Sequence, residues 1–186
     1  MSTGSLPPWR ISCADHADRR CTVSVDPTKI DIEFDPLRQR MVGISAHGLK
    51  PFDVPFISEI VPDLWVGGCE DGLILPQFIE NLISVYPWEA YTVNHELESS
   101  LAVRMYDSID QAFHQVDAVA MWVNACRAAG PTLVHCQAGL NRSSLVIARA
   151  LILSGMPSQA AIALIRKKRS PACLSNPSFE RWLRQF

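Results

Sequence analysis

The chain has 186 residues, of which 48% are hydrophobic, which is enough for one well-buried core and too little for two full domains. Its 17 basic and 19 acidic residues leave a net charge of −2, which argues against a general nucleic-acid binder or a strongly cationic membrane protein. No apolar stretch reaches the roughly 18 to 20 residues that span a bilayer, and the first residues lack the apolar core of a secretion signal. We therefore expect a cytoplasmic protein with no membrane partner.

Residues 1–54 differ in composition from the rest of the chain and predict a partly ordered N-terminal arm. They are rich in proline and scattered charge, with an alternating segment at 29–34 that is typical of an edge strand or hairpin. Three potential metal ligands, Cys13, His16 and Cys21, lie in this arm. Zinc modules use four ligands at other spacings, so we expect a polar tail with incidental thiols and no bound metal.

Residues 55–186 alternate between candidate strands and helices. This alternation predicts an α/β fold in which helices cover a central, mostly parallel sheet, with residues 1–54 as an N-terminal extension. The predicted strands are 60–68, closed by a glycine turn, 102–106 and 132–135. Helical spacing or capping signals predict helices at 75–84, 111–128, 143–154, 158–168 and 177–182.

The stretch LVHCQAGLNRSS, from Leu133 to Ser144, places a thiol and a guanidinium at the two ends of a short loop between a strand and a helix. Curled backbone N–H groups and a helix N-terminus form an anion-binding nest, and Gly139 permits the curl. Arg142 offers a planar fork that holds two phosphate oxygens. The same positive field favours a thiolate at Cys136, with its pKa lowered from about 8.5 to roughly 3.5 to 7.5. The loop thus predicts phosphoryl transfer to Cys136.

The segment from His135 to Ser143 fits the pattern H-C-x5-R-[ST], and here the chain resembles the cysteine-based protein phosphatases, above all their dual-specificity subgroup. The resemblance covers roughly residues 57–186 and includes the segments IVPDLWVGG and KKRSPACLSNPSFERWL. It implies a cysteine phosphatase-like fold for residues 55–186. It also implies a phosphomonoester hydrolase that works through a cysteinyl-phosphate intermediate and needs neither cofactor nor metal.

The resemblance also implies a role for each residue of the loop. Cys136 is the nucleophile, Arg142 stabilises the phosphate oxygens, and Ser143 assists the thiolate as a leaving group. His135 braces the loop. The substrate phosphate is bound by the loop residues Gln137, Ala138, Gly139, Leu140, Asn141 and Arg142.

A general acid must protonate the leaving oxygen, and the resemblance implies an aspartate on a loop some thirty residues before the cysteine. Asp107 lies 29 residues before Cys136 and Asp110 lies 26 before it, counted along the chain. We favour Asp107, which directly follows a predicted strand. Asp110 is the alternative, and it also suits the N-cap position of the following helix.

The loop contains no lysine between Cys136 and Arg142, whereas a highly phosphorylated inositide needs several counter-charges. This composition favours a phosphorylated protein as the substrate, with phosphate on tyrosine, serine or threonine, and makes nucleic acid an unlikely partner. Asn141 also resembles the loop ending of RNA 5′-phosphatases, which makes an RNA 5′-phosphatase the first alternative. An inositide phosphatase and a non-catalytic phosphate-binding module are the others. The oligomeric state has no signal in the sequence.

Two further features lie outside the loop. The basic run 166–169 is interpreted as a solvated helix end that complements the helix dipole, with substrate binding as the alternative. Cys69 is a candidate disulfide partner for an oxidised Cys136, as in some relatives, although its spacing does not show that the two are close.

Overall fold

The structure, a computed structural model, describes residues 26–186, so Cys13, His16 and Cys21 lie outside the described residues. Within that range the chain forms two sheets and a layer of helices. The strands are β1 Ile32–Asp35, β2 Arg40–Ile44, β3 Pro51–Pro55, β4 Ile57–Val61, β5 Leu64–Gly68, β6 Asn81–Ser84, β7 Ser99–Ala102 and β8 Thr132–Cys136. The helices are α1 Phe113–Ala129, α2 Arg142–Leu153, α3 Ser158–Lys168 and α4 Pro177–Leu183.

The central sheet has the strand order β4-β5-β8-β6-β7. Neighbouring strands are parallel except at the edge, where β4 pairs with β5 in the antiparallel sense. The predicted α/β fold with a mostly parallel sheet is therefore confirmed. All five residues of β8 are buried, as expected for a central strand with both faces covered.

The helices cover one face of this sheet. Helix α2 packs against β8 and lies between α1, α3 and α4, and its residues from Arg142 to Leu151 are all buried. The other face is covered by the segment between β5 and β7, which contributes Cys69, Leu75, Ile79 and Tyr91 to a cluster around Leu133. β8 is thus packed on both faces, and this packing fixes the position of its carboxyl end.

Two predicted elements between residues 75 and 106 are wrong. Residues 75–84 do not form a helix, because the apolar run at 81–84 is strand β6, with Leu82 facing one core cluster and Ile83 the other. A short apolar run buried on both faces has no periodicity that separates a strand from a helix. The strand predicted at 102–106 lies earlier, at Ser99–Ala102, where it pairs with β6.

The N-terminal sheet is an antiparallel meander with the order β1-β2-β3. β1 is its edge strand and forms a hairpin with β2, which confirms the prediction made from the alternation at 29–34. Met41, Phe52 and Val54 are buried in the same core cluster as the central sheet. The meander, taken together with segment 26–30 that precedes β1, therefore packs against the α/β body. Segment 26–30 and segment 45–47, which lies between β2 and β3, reach residues near the carboxyl end of β8.

The helices predicted after residue 110 are confirmed within a residue or two at their ends. The Asn176 side chain accepts a hydrogen bond from the Ser178 N–H at the start of α4, and Pro177 occupies the first turn, as predicted. No helix in residues 26–186 combines the length and apolar character that crossing a membrane requires.

Candidate active site

The phosphate loop, defined as residues 136–142, joins the end of β8 to the start of α2. Gly139 has a φ of 70°, and a Cβ atom at this position would lie 2.7 Å from the backbone of Gly67. Glycine alone suits both the left-handed torsion and the close approach. The Gly139 N–H donates to Cys136 Sγ over 3.3 Å. The loop therefore curls its backbone around the thiol, as the sequence predicts.

Cys136 lies at the base of this curl with its Sγ atom 3.2 Å from Ser143 Oγ. Burial acts to raise the pKa of Cys136, but the Arg142 charge and the hydrogen bonds from Ser143 and Gly139 outweigh it, so the pKa lies below its ordinary value. The positive end of α2 points at the same place. This is the electrostatic setting in which a thiolate is favoured.

Arg142 is 3% exposed and is held at one end and on one face. Its Nη1 donates to Asp26 Oδ2 over 2.6 Å and to the Met105 carbonyl over 3.3 Å. The guanidinium lies over the Tyr86 ring, 4.6 Å from the ring centroid. An ion pair, a hydrogen bond and a cation–π contact thus fix the orientation of the guanidinium.

Asp26 was not found by sequence reasoning. Its carboxylate is fully buried, and besides Arg142 it accepts hydrogen bonds from the Thr28 N–H at 2.8 Å and the Thr28 hydroxyl at 2.7 Å. Asp26 and Arg142 are 116 residues apart in the chain. An Asp-Pro-Thr turn is a common local pattern, so nothing in the sequence signals the long-range ion pair.

Asp107 is 8% exposed and lies beside the loop. Its carboxylate accepts hydrogen bonds from the side-chain amides of Asn141 at 2.7 Å and Asn176 at 2.9 Å, and His47 Nε2 is 3.2 Å from it. Burial acts to raise the pKa of Asp107, but the hydrogen bonds from His47, Asn176 and Asn141 outweigh it and lower the pKa. The Asp107 N–H donates to Thr28 Oγ1 over 3.1 Å.

Asp110 was predicted as the alternative general acid or as the N-cap of α1. It is exposed, and its N–H donates to Ser108 Oγ over 3.1 Å. The N-cap of α1 is Ala112, so the interpretation of Asp110 as the N-cap is wrong. The helix starts two residues later, and the Gln111 side chain accepts a hydrogen bond from the Tyr106 N–H. The loop cavity is lined by Asp107 but not by Asp110.

The cavity above Cys136 has a volume of about 20 Å³. One part of its lining consists of Asp107 and the loop residues Cys136, Gln137, Ala138, Leu140, Asn141 and Arg142. The other part, called the roof, consists of Thr28, Ile30, Ser45 and Ala46 from the N-terminal segments. A space of this size holds about one water molecule. The roof therefore encloses the loop closely in this conformation.

Gln137 ties the loop to the roof. Its Oε1 accepts from the Ile30 N–H over 3.0 Å, and its Nε2 donates to the Ile30 carbonyl over 2.6 Å. The paired bonds satisfy both polar groups of the amide side chain and both of the Ile30 backbone. A residue predicted as part of the phosphate-binding loop thus has its side chain committed to the N-terminal segment.

The basic run 166–169 is a solvated helix end at Lys167 and Lys168, which are exposed, but that interpretation is wrong for Arg166 and Arg169. Arg169 is 6% exposed and donates to the Ala138 carbonyl over 2.9 Å, to Ser58 Oγ over 3.1 Å and to the Pro55 carbonyl. Arg166 binds Glu180 at 2.6 Å and the carbonyls of Cys173 and Leu174. The helix ends against the body of the protein, so these guanidiniums brace the loop and the chain after it.

His135 is 1% exposed, and burial lowers its pKa to about 4. The imidazole is therefore neutral near pH 7 and packs edge-on against Tyr91, with 5.2 Å between ring centroids. The Tyr91 hydroxyl in turn donates to the Gly68 carbonyl on the neighbouring strand. His135 is thus held as a packed core residue, directly before Cys136 in β8.

Cys69 and Cys173 both lie against the loop backbone. The Cys69 N–H donates to the Gln137 carbonyl over 3.0 Å, and Cys173 Sγ is 4.0 Å from the Gly139 carbonyl. Burial raises the pKa of the Cys69 thiol, and burial raises that of Cys173 to about 11. Both are free thiols. A disulfide between Cys69 and an oxidised Cys136 stays a prediction.

Comparisons with known proteins agree with this geometry. The family "Dual specificity phosphatase, catalytic domain" matches residues 77–186, which include Asp107 and the whole phosphate loop. The chain belongs to the dual specificity phosphatase family. The resemblance inferred from the motif is therefore confirmed. The matched region begins after the N-terminal meander, so the residues that roof the cavity lie outside it.

Several phosphatases are similar to this chain. The "MAP kinase phosphatase with leucine-rich repeats protein 3" of Dictyostelium discoideum is 28% identical over 139 residues, which cover 69% of this chain but 16% of that protein. The structure of human DUSP28 has a TM-score of 0.60 at 20% identity, covering 69% of this chain and 93% of that one. The human "tyrosine phosphatase-like serine/threonine/tyrosine-interacting protein" has a TM-score of 0.57 at 21% identity, covering the same shares. These structures share the fold of this dual specificity phosphatase domain.

Proposed function

We propose that the protein hydrolyses phosphomonoesters through a cysteinyl-phosphate intermediate on Cys136. The observation that carries this proposal is the position of Cys136 Sγ, at the base of a cavity, within hydrogen-bond distance of the Gly139 N–H and the Ser143 hydroxyl. A thiolate stabilised in this way attacks phosphorus. Arg142 and the loop N–H groups face the oxygens on which charge develops.

In the first step the Cys136 thiolate forms an S–P bond while the bond between phosphorus and the leaving oxygen breaks. Asp107 gives its proton to that oxygen. In the second step water attacks phosphorus, the S–P bond breaks, and the water proton passes to Asp107. Ser143 donates a hydrogen bond to the departing thiolate across the 3.2 Å separation. Inorganic phosphate is released, and the enzyme returns to its starting protonation state.

Asp107 must carry a proton when the leaving oxygen departs, whereas its surroundings in the free protein favour the carboxylate. A bound phosphate dianion adds negative charge next to Asp107, and a like charge raises the pKa of a carboxyl group. Substrate binding therefore supplies the shift that the acid needs. Asp110, exposed and absent from the cavity lining, has no comparable coupling to the phosphate.

The substrate that best suits the site is a protein carrying a single phosphate on tyrosine, serine or threonine. The loop lacks lysine, and two buried carboxylates, Asp26 and Asp107, lie next to it. Negative groups here oppose a ligand with several phosphates, which disfavours an inositide or a triphosphate RNA end. The name of the Dictyostelium relative, a MAP kinase phosphatase, supports the same class. A reducing compartment such as the cytoplasm keeps the thiol of Cys136 active.

Hydrolysis of a small aryl phosphate by the full chain tests the reaction, and vanadate should inhibit it. Cys136→Ser should abolish turnover, while the variant still binds phosphate; turnover that survives in Cys136→Ser would contradict the nucleophile. Phosphotyrosine peptide, phosphoserine peptide, inositide and triphosphate RNA, compared under identical conditions, test the substrate class. Faster turnover of inositide or RNA than of either peptide would contradict the phosphoprotein assignment.

A further inference from the structure

Within residues 26–186 the guanidinium of Arg142 has partners along one part and no acceptor along another. Nη1 donates to Asp26 and to the Met105 carbonyl, and the face of the guanidinium lies over the Tyr86 ring. Nε and Nη2 donate to no acceptor in residues 26–186. An arginine binds phosphate in bidentate fashion through two neighbouring N–H groups, so this free edge is the one that suits an anion.

Asp26 holds Nη1 from outside the cavity. The residues that line the cavity include Thr28 and Ile30 but not Asp26, whose side chain is fully buried. The two hydrogen bonds from Thr28 fix the carboxylate independently of Arg142, and they leave its Oδ2 for the guanidinium. A preformed carboxylate of this kind locks the rotation of the arginine without occupying the place of the phosphate.

From this arrangement we infer that Asp26 is a positioning residue for the reaction, which aims the Nε–Nη2 edge of Arg142 at the phosphate oxygens. The inference rests on the proposed function and adds a residue from the N-terminal meander to the machinery of the site. Asp26 touches neither the substrate nor the thiol, and it acts through Arg142. The family match begins at residue 77, so Asp26, which holds Arg142, lies outside the matched region.

Segment 26–30 also roofs the cavity, which suggests a competing role as a restraint that keeps the site shut. The placement of Asp26 favours positioning, because a carboxylate that mimics phosphate would lie within the cavity lining and would bind the free edge of Arg142. Asp26 does neither. The two roles predict opposite signs: loss of the Asp26 charge lowers activity if Asp26 positions Arg142 and raises activity if it restrains the site.

The test uses Asp26→Asn, Asp26→Glu and, as the matched control, Asp31→Asn, an exposed aspartate that directly follows segment 26–30. Two quantities are measured on the full chain: kcat and KM for a small aryl phosphate, and the affinity for sodium tungstate by calorimetry. Asp26→Asn should lower both kcat/KM and tungstate affinity by about 10- to 100-fold. Asp26→Glu, which keeps the charge but moves it, should recover part of the loss. Asp31→Asn should stay within about twofold of the unmodified protein.

A double-mutant cycle separates positioning from a general loss of structure. If Asp26 acts through Arg142, then tungstate binds Asp26→Asn/Arg142→Ala no more weakly than it binds Arg142→Ala alone. Additive losses in the cycle overturn the inference. A thermal melt of each variant shows whether it is folded. If Asp26→Asn does not fold, Asp26→Glu replaces it in the cycle.

The remaining outcomes distinguish this inference from the proposed function. Unchanged or increased kcat/KM in Asp26→Asn, with an active parent protein, overturns positioning and leaves the phosphatase assignment standing. A parent protein that binds tungstate in an Asp26-dependent way but hydrolyses no phosphomonoester supports the positioning of Arg142 and overturns the proposed function. A parent protein that binds no tungstate overturns both.

Discussion

The phosphate loop and the N-terminal meander face the same cavity, yet they are assembled in different ways. In the loop, the thiol, the glycine, the arginine and the serine lie within eight consecutive residues, and a strand and a helix set their geometry. The meander reaches the cavity through contacts between residues that are distant in sequence: Asp26 with Arg142, His47 with Asp107, and Ile30 with Gln137.

This difference separates the residues that carry the proposed chemistry from the residues that orient them. The loop by itself supplies the proposed nucleophile and the anion-binding nest, so it can be recognised from the sequence as a motif. The meander supplies no reacting atom in the proposed mechanism, but it contacts Arg142 and Asp107, which are proposed to bind phosphate and to donate the proton. Changes in the loop should therefore abolish activity, whereas changes in the meander should tune it.

After the loss of turnover expected for Cys136→Ser, the largest effect is expected for Gly139→Ala. The φ of 70° and the 2.7 Å approach of a Cβ atom to the Gly67 backbone leave no relaxed position for a methyl group. We expect a loss of activity of at least about 100-fold and a destabilisation of roughly 1 to 3 kcal/mol. Gly155→Ala is the matched control, since Gly155 has a φ of 93° with open space around it. Equal melting temperatures and activities for the two variants would refute the steric account of the loop.

Asp107→Asn comes next because its effect should depend on the leaving group, whereas Gly139→Ala should slow turnover of every substrate and also destabilise the fold. Removing the proton donor should slow turnover by about 10²- to 10⁴-fold for a substrate with a poor leaving group, and much less for a good one. The measurement is kcat for a series of aryl phosphates of increasing phenol pKa. Asp110→Asn is the control, and leaving-group dependence in Asp110→Asn alone would show that the acid is assigned to the wrong residue.

Ser143→Ala should have an intermediate effect. The hydroxyl lies 3.2 Å from Cys136 Sγ and helps to lower the thiol pKa, so its loss should raise that pKa. The rate of inactivation by iodoacetate, followed against pH, measures this shift, and turnover should fall about tenfold. Ser144→Ala removes a neighbouring buried hydroxyl that donates to the Gly139 carbonyl. If Ser144→Ala shifts the pH profile as far as Ser143→Ala does, the contact with sulfur is not the cause.

The smallest effect is expected for His47→Gln and should depend on pH. Asp107 raises the pKa of His47 above 6.5, so the ion pair stabilises the fold below that pH and is lost as pH rises through the raised value. The lowered pKa of Asp107 extends this stabilisation to below pH 3.8. We expect His47→Gln to reduce the free energy of unfolding by roughly 0.5 to 1.5 kcal/mol at pH 5.5 and by less at pH 9. Denaturant melts at both pH values measure it, with His114→Gln, an exposed histidine of α1, as the control. A loss of equal size at both values would exclude the charged pair.

The elements from residue 111 onward could be predicted because their signals are local. Gly130 and Pro131 end α1, Asn176 and Pro177 start α4, and the apolar run at 132–135 is bounded on both sides. The segment 75–84 could not be assigned, because an apolar run buried between two layers fits a helix as well as a strand. Its assignment depends on β7 and β8, which pair with it from either side.

The sequence by itself predicted the nucleophile, the arginine and the anion-binding loop of the proposed mechanism, because their chemistry lies within a few consecutive residues whose backbone path follows from one strand, one glycine and one helix start. Only the tertiary structure decided which aspartate lines the cavity with Cys136, which carboxylate holds Arg142, and which basic residues are buried. Those contacts join residues whose separation in the chain is as large as 116, and no local pattern encodes a pairing over that distance. The physical reason is that burial and ion pairing depend on how the layers pack, which a motif does not record.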